Sequence, residues 1–150
     1  MIPSESIKKK IKTWEGLSLK AYLCPAKVPT IGYGHTSPEV KLGMTITKDE
    51  ADALFTKDIN AFAEKVARIC PPGLNQNQFD ALVSLAYNIG IGGLSRSTLL
   101  KQVKKDPNCG SIRNEFMKHN KARVAGGVLK PLKGLTLRRQ AEADHYFGKA

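Results

Sequence analysis

Three side chains near the N-terminus are of types that move protons or attack electrophilic carbon: Glu15, Cys24 and Thr30. Glu15 ends a stretch in which Ile7, Ile11 and Trp14 recur at helical steps, with Ser4 as a cap and Gly16 as a stop. A carboxyl group at the C-terminal end of a helix meets the negative end of the macrodipole, which costs about 1 kcal/mol or less when the group is ionised. That field, and burial beside an indole, favour the protonated form, and a carboxylic acid that keeps its proton near neutral pH is what general acid catalysis requires. Each residue taken alone also has a plainer reading. Glu15 can be an idle solvent-facing glutamate, Thr30 a β-branched strand residue and Cys24 a small buried apolar group.

Their spacing narrows the choice. Cys24 lies nine positions after Glu15, Thr30 six after Cys24, and "IGYGHT" follows with Gly32, Tyr33, Gly34 and His35. The stretch "EGLSLKAYLCPAKVPT" resembles the phage-type lysozymes, glycoside hydrolase family 24, whose motif is Glu, eight residues, Asp or Cys, five residues and Thr, continuing as Thr-x-Gly-x-Gly-His. Two further stretches are similar to that family. "QFDALVSLAYNIG" at 78–90 looks like its helix ending in aromatic-Asn-x-Gly, and "GGVLKPLKGLTLRRQAE" at 126–142 looks like its glycine-pair loop and the helix after it. A dinucleotide-binding glycine pattern fails, because Ser37 stands where the last glycine is needed.

The resemblance implies a bacteriolytic endolysin, a muramidase that hydrolyses the β-1,4 bond between N-acetylmuramic acid and N-acetylglucosamine in peptidoglycan and so lyses a phage's host. Glycoside hydrolysis needs an acid for the leaving oxygen and a second group that activates water or attacks carbon. Glu15 takes the acid role, and the Thr30 hydroxyl holds and orients the attacking water. Cys24 occupies the position where many relatives carry Asp. Because a free thiol near 8.5 is only a few per cent thiolate at pH 7, Cys24 is expected to be a weaker base than Asp unless a neighbour such as Lys27 activates it. A nucleophilic Cys24 would instead give retention of configuration; the family pattern leans to inversion. Tyr33, His35, Tyr87 and Asn88 are the expected substrate-binding residues, with cleft shaping or ordinary structural use the alternative for His35 and helix capping the alternative for Asn88. Arg138 and Arg139 are expected to form inter-helix ion pairs in preference to binding wall carboxylates. No cofactor and no metal is called for. Lytic transglycosylase chemistry and a non-catalytic wall-binding module are the competing readings.

The elements that must position these residues follow from periodicity. Six turns or so of apolar recurrence at Phe55, Ile59, Phe62, Val66 and Ile69, opened by the capping box Thr47-Lys-Asp-Glu50, predict a long helix over 47–69. A second capping box at Asn75 and Gln78 opens an apolar, central helix that stops at Gly90. Shorter helices are expected near 97–105 and 111–119, and a last one from about 136 to 147. Residues 17–46 lose the helical period and gain Pro and Gly, which predicts a small irregular sheet. The expectation is a single α+β, lysozyme-like domain over 1–150. It has a β lobe at about 17–46 and a helical lobe at about 70–150 packed with the N-terminal helix, joined by the long helix.

Composition agrees with a globular domain: 150 residues, 41% hydrophobic and 25% charged. Twenty-four Lys and Arg against thirteen Asp and Glu give a net charge of +11, suited to an anionic cell-envelope surface and to peptidoglycan glycan strands. The basic residues are dispersed and not interleaved with aromatics, so a nucleic-acid partner is not expected; a monomer is. No stretch reads as a secretory signal or a membrane span. Synthesis in the host cytoplasm is therefore expected, with action in the periplasm after a holin, itself not a direct contact, has opened the membrane. Cys24, Cys70 and Cys109 do not form a disulfide framework. After export Cys24 would have either of the others as partner, or Cys70 and Cys109 would close a loop of about 40 residues for roughly 4 kcal/mol.

Overall fold

A computed structural model describes residues 1–123 and 125–149. The chain forms two compact units, one of Glu5–Ala61 and one of Met1–Ser4 with Phe62–Ala150. It passes between them twice, between Ser4 and Glu5 and again within one long helix at Ala61 and Phe62.

The first unit contains α1 (Glu5–Glu15), the hairpin strands β1 (Ser18–Leu23) and β2 (Pro29–Gly32), and the first part of α2 (Lys48–Ile69). The hairpin is antiparallel, with Tyr22 opposite Thr30 and Leu23 opposite Pro29. Its loop is closed by Cys24 N–H to Val28 O at 3.1 Å and Lys27 N–H to Cys24 O at 2.7 Å. Lys27 takes the left-handed conformation that such a turn needs after its third residue (φ 61°). Alternation along the strands gives the sheet two faces. Ala21 and Ile31 belong to one and form a small core with Val40, backed by Ile46 and Leu54; Tyr22 and Thr30 belong to the other. The α2 capping box is present in both directions, Glu50 N–H to Thr47 Oγ1 and Thr47 N–H to Glu50 Oε1, each 3.1 Å. Ala51, Phe55 and Ile59 are its buried face in this unit.

The second unit is helical: the end of α2, then α3 (Gln76–Ile89), α4 (Ile91–Arg96), α5 (Thr98–Lys105), α6 (Ile112–Met117) and α7 (Lys133–Tyr146), with a hairpin of β3 (Lys121–Arg123) and β4 (Leu129–Pro131) before α7. The centre is α3, in which every residue from Gln78 to Ala86 is buried. Asn75 and Gln78 make the expected reciprocal cap, and Gly90 (φ 87°) ends the helix. Ser4, the expected cap of α1, reaches Asp80: its N–H and hydroxyl donate to Oδ1 and Oδ2 at 3.0 and 2.6 Å, which fastens residues 1–4 to α3.

The mixed α+β architecture is the expected one, with three local differences. First, α1 groups with the sheet-bearing unit, not with the helices of 70–150. Lys12 pairs with Asp52 on α2 at 3.2 Å and sits 5.2 and 5.1 Å over the Tyr33 and Phe55 rings, which holds α1 there. Second, α4 forms where the sequence predicts loop, because Gly92 and Gly93 interrupt its period. The lack of side chains there permits close approach, since a Cβ at Gly93 would meet Ile89 at 3.3 Å. Third, the glycine-bearing loop before α7 carries the β3–β4 hairpin, and α7 starts at Lys133. Lys121-Ala-Arg123 alternates without apolar character, so the sequence holds no strand signal there; Val124 lies outside the described residues.

Candidate active site

The Glu5–Ala61 unit contains Glu15, Cys24 and Thr30. Glu15 is the last residue of α1, where Gly16 (φ 72°) turns the chain and its N–H donates to Lys12 O at 2.9 Å. The Glu15 carboxylate lies on the Gly32-Tyr33-Gly34 reversal. Ile31 and His35 bridge across it with two backbone hydrogen bonds of 3.0 and 2.8 Å. Gly34 is needed there twice over: its φ is +79°, and a Cβ on it would stand 2.7 Å from Glu15 Oε1. Gly34→Ala is therefore expected to push the carboxylate aside. Because the carboxylate is the end of a flexible side chain, the loss falls mainly on activity. Lysis should drop by about 100-fold, and stability by about 1–2 kcal/mol from the left-handed backbone. Lysis rate and a thermal melt on the same preparation check both, and near-native lysis would disprove the seating of Glu15 on Gly34.

Cys24 closes the hairpin loop. Hydrogen bonds from its own turn hold its thiol below the ordinary range, the Val28 backbone first, then the Ala26 backbone and the Thr30 hydroxyl, against opposing desolvation. Lys27, the candidate activator by sequence proximity, is not among the groups that lower the thiol. Thr30 is 3% exposed, and its hydroxyl donates to Val28 O at 2.9 Å while lying in reach of the Cys24 sulfur. Cys24, in the loop, and Thr30, in β2, thus belong to the same end of the hairpin. The other cysteines differ: burial pushes the Cys70 thiol up to about 11, whereas Ser111 hydrogen bonding lowers that of Cys109. All three are free thiols.

Of the four expected substrate-binding residues, Tyr33 and His35 belong to the Glu5–Ala61 unit and Tyr87 and Asn88 to the other. Tyr33 is only 7% exposed, its ring packed edge-on against Phe55 at 5.7 Å, so it supports the site from behind. His35 Nδ1 is paired with Asp58 Oδ2 at 2.6 Å, which ties the glycine reversal to α2. Tyr87 and Asn88 are in the last turn of α3, in the other unit. Tyr87 packs on Phe62 at 5.3 Å, and Asn88 is exposed and leaves capping to Gly90. Arg138 and Arg139 are buried and pair with Glu142 on their own helix, α7, so these ion pairs lie within one helix and not between helices as expected. Asp52 and Asp58, which orient Lys12 and His35, escape a reading of the sequence. The i, i+4 spacing of Lys48 and Asp52 is the one local mark of the first, and nothing local marks the second.

A helix-terminal acid and a thiol–hydroxyl pair on a two-stranded sheet, in a chain whose helical unit is built on one buried central helix, define the class of lysozyme-type hydrolases. Comparison with known proteins makes the assignment specific. Residues 12–142 match the family model described as Phage lysozyme. The endolysin of Acyrthosiphon pisum secondary endosymbiont phage 1 is 44% identical over 132 residues, 88% of each chain. Among solved structures, the endolysin from Escherichia coli O157:H7 phage FAHEc1 superposes with a TM-score of 0.87 at 37% identity, over 97% of this chain and 93% of that one. The muramidase domain of SpmX from Asticaccaulis excentricus superposes with a TM-score of 0.85 at 33% identity, over 95% of both chains. The chain belongs to the phage lysozyme family, and its enzymatic class is that of a lysozyme acting in lysis of the bacterial cell wall. No helix among the described residues is long and apolar enough to cross a membrane.

Proposed function

We propose that the chain is an endolysin muramidase that hydrolyses the β-1,4 bond between N-acetylmuramic acid and N-acetylglucosamine in peptidoglycan. The observation that carries this reading is the seating of the Glu15 carboxylate on Gly34, in the unit whose β1–β2 hairpin also holds Cys24 and Thr30. One structural relative is by name a muramidase domain, which agrees with it. Glu15 gives its proton to the bridging oxygen as the glycosidic bond breaks. Thr30 orients a water, and the Cys24 thiolate takes a proton from it as its oxygen bonds to the anomeric carbon, which inverts configuration. A thiolate favoured by the backbone donors of its own turn suits that base role. The glycan strands are the substrate and the +11 charge favours adsorption to the anionic envelope. The chain works as a monomer, is made in the host cytoplasm and reaches the wall through a holin-opened membrane.

Mass spectrometry of fragments released from purified peptidoglycan tests the reaction. Hydrolysis leaves a reducing end, whereas a lytic transglycosylase leaves an anhydro end one water lighter, and the anhydro product would overturn the hydrolytic step. No release at all, with wall binding retained, would mark a binding module. Cys24→Asp is expected to keep or raise activity and Cys24→Ala to lower it by about 100-fold. A fully active Cys24→Ala would remove Cys24 from the mechanism.

A further inference from the structure

Tyr22 has no part in the steps above, yet the fold brings it to the same place. In the β1–β2 register Tyr22 stands directly across from Thr30, so the two side chains leave the same face of the sheet. Ala21 and Ile31 leave the opposite face, into the core with Val40. Cys24 follows Tyr22 by two positions, the strand repeat for one face. The burial of the cross-strand pair is unequal: Thr30 is 3% exposed while Tyr22 is 41% exposed. The Tyr22 ring is therefore the open edge of a face whose inner end is the Thr30 hydroxyl. Its phenol also lies in the field of both reacting groups. Burial raises the phenol pKa first, and negative charge at Glu15 and at Cys24 raises it further. A phenol held in that way stays a neutral O–H donor throughout the pH range in which a lysozyme works.

We propose that Tyr22 is a substrate-contacting residue of this site, its ring a wall for the apolar face of an N-acetylated aminosugar and its hydroxyl a donor to a sugar oxygen. The assignment rests on the glycosidase reading and adds the group that holds the sugar between Glu15 and Cys24. An aromatic body with a polar tip is suited to a pyranose, which offers C–H groups on its face and oxygens at its rim. An exposed aromatic on a two-stranded hairpin has little to do for folding, which separates this role from core packing.

The test uses soluble, uncross-linked glycan strands and initial rates for the wild type, Tyr22→Phe and Tyr22→Leu. Tyr22→Phe, which keeps the ring and loses the hydrogen bond, is expected to raise KM about 5-fold with kcat within about 2-fold of wild type. Tyr22→Leu is expected to raise KM by about 20-fold or more, again with little change in kcat. In a Glu15→Gln background, glycan binding followed through the fluorescence of Trp14, the one tryptophan in the chain, should weaken by the same factors. Melting temperatures within about 2 °C of wild type are expected for both substitutions. Tyr22→Leu with wild-type KM, or a loss confined to kcat, overturns the assignment and leaves the muramidase reading intact. A wild type that neither cleaves nor binds the strands overturns both.

Discussion

Glu15→Gln is expected to abolish lysis, by about 1,000-fold or more, while the protein melts within a few degrees of wild type. The substitution keeps size and shape, so the side chain still fits over Gly34, where the present carboxylate leaves no room for a Cβ. What disappears is the transferable proton. General acid catalysis contributes about 10²–10⁴-fold, and a 1,000-fold loss corresponds to about 4 kcal/mol of barrier. Lys12, over Tyr33 and Phe55 and paired with Asp52, anchors that end of α1 through contacts that the substitution leaves in place. Turbidity loss on peptidoglycan reads the activity, and thermal unfolding with far-UV circular dichroism reads the fold. Retained lysis at even a tenth of the wild-type rate would remove Glu15 from the acid role. Loss of lysis together with collapse of the fold would show that the residue is structural.

Arg139→Met is expected to have the largest effect on stability, about 3–5 kcal/mol, or on the order of 10 °C in melting temperature. Arg139 is fully buried on α7, with Nε 2.7 Å from Glu142 Oε1 and another guanidinium nitrogen donating to His119 O at 3.2 Å. Glu142 is itself fully buried, between Arg139, Arg138 at 3.3 Å and the Ser84 hydroxyl on α3. Burial pushes its carboxyl up, and the two guanidiniums oppose that. Methionine fills much of the volume but strips the carboxylate of its nearest cation. A double substitution, Arg139→Met with Glu142→Leu, is expected to recover a large part of the loss, because it leaves Arg138 as the remaining charge of the cluster to be rehoused. Chemical denaturation of the three proteins decides the point. A cost below about 1 kcal/mol for Arg139→Met would mean that water reaches the cluster and that it is not a buried ion network.

Helices whose signals are local are readable in advance. The reciprocal caps at Thr47 with Glu50 and at Asn75 with Gln78 are each formed within four residues, so sequence spacing and structure describe the same bonds. The stops at Gly16 and Gly90 follow for the same reason, since both need a positive φ that only glycine adopts freely. α4 and the β3–β4 hairpin are not readable, because glycines and lysines there carry no period and the elements exist through packing and pairing with residues distant in the chain. The burial of Tyr33 and the pairing of His35 with Asp58, 23 positions away, are of the same kind.

From the chain's order of residues alone follow the groups available for chemistry and their separations: a carboxyl group ahead of Gly16, a thiol nine positions on and a hydroxyl six beyond that. The ends of the two principal helices follow too, because caps and stops are short-range hydrogen bonds. Tertiary structure settled the rest. It set Glu15 on the glycine reversal, surrounded the Cys24 sulfur with turn donors in place of the Lys27 ammonium, and turned Tyr33 inward while leaving Tyr22 at the edge of the site. The turn around Cys24 is local but closes only once the two strands pair in register, and the other outcomes depend on which helix packs where and on desolvation, as segments apart in the chain exclude water together.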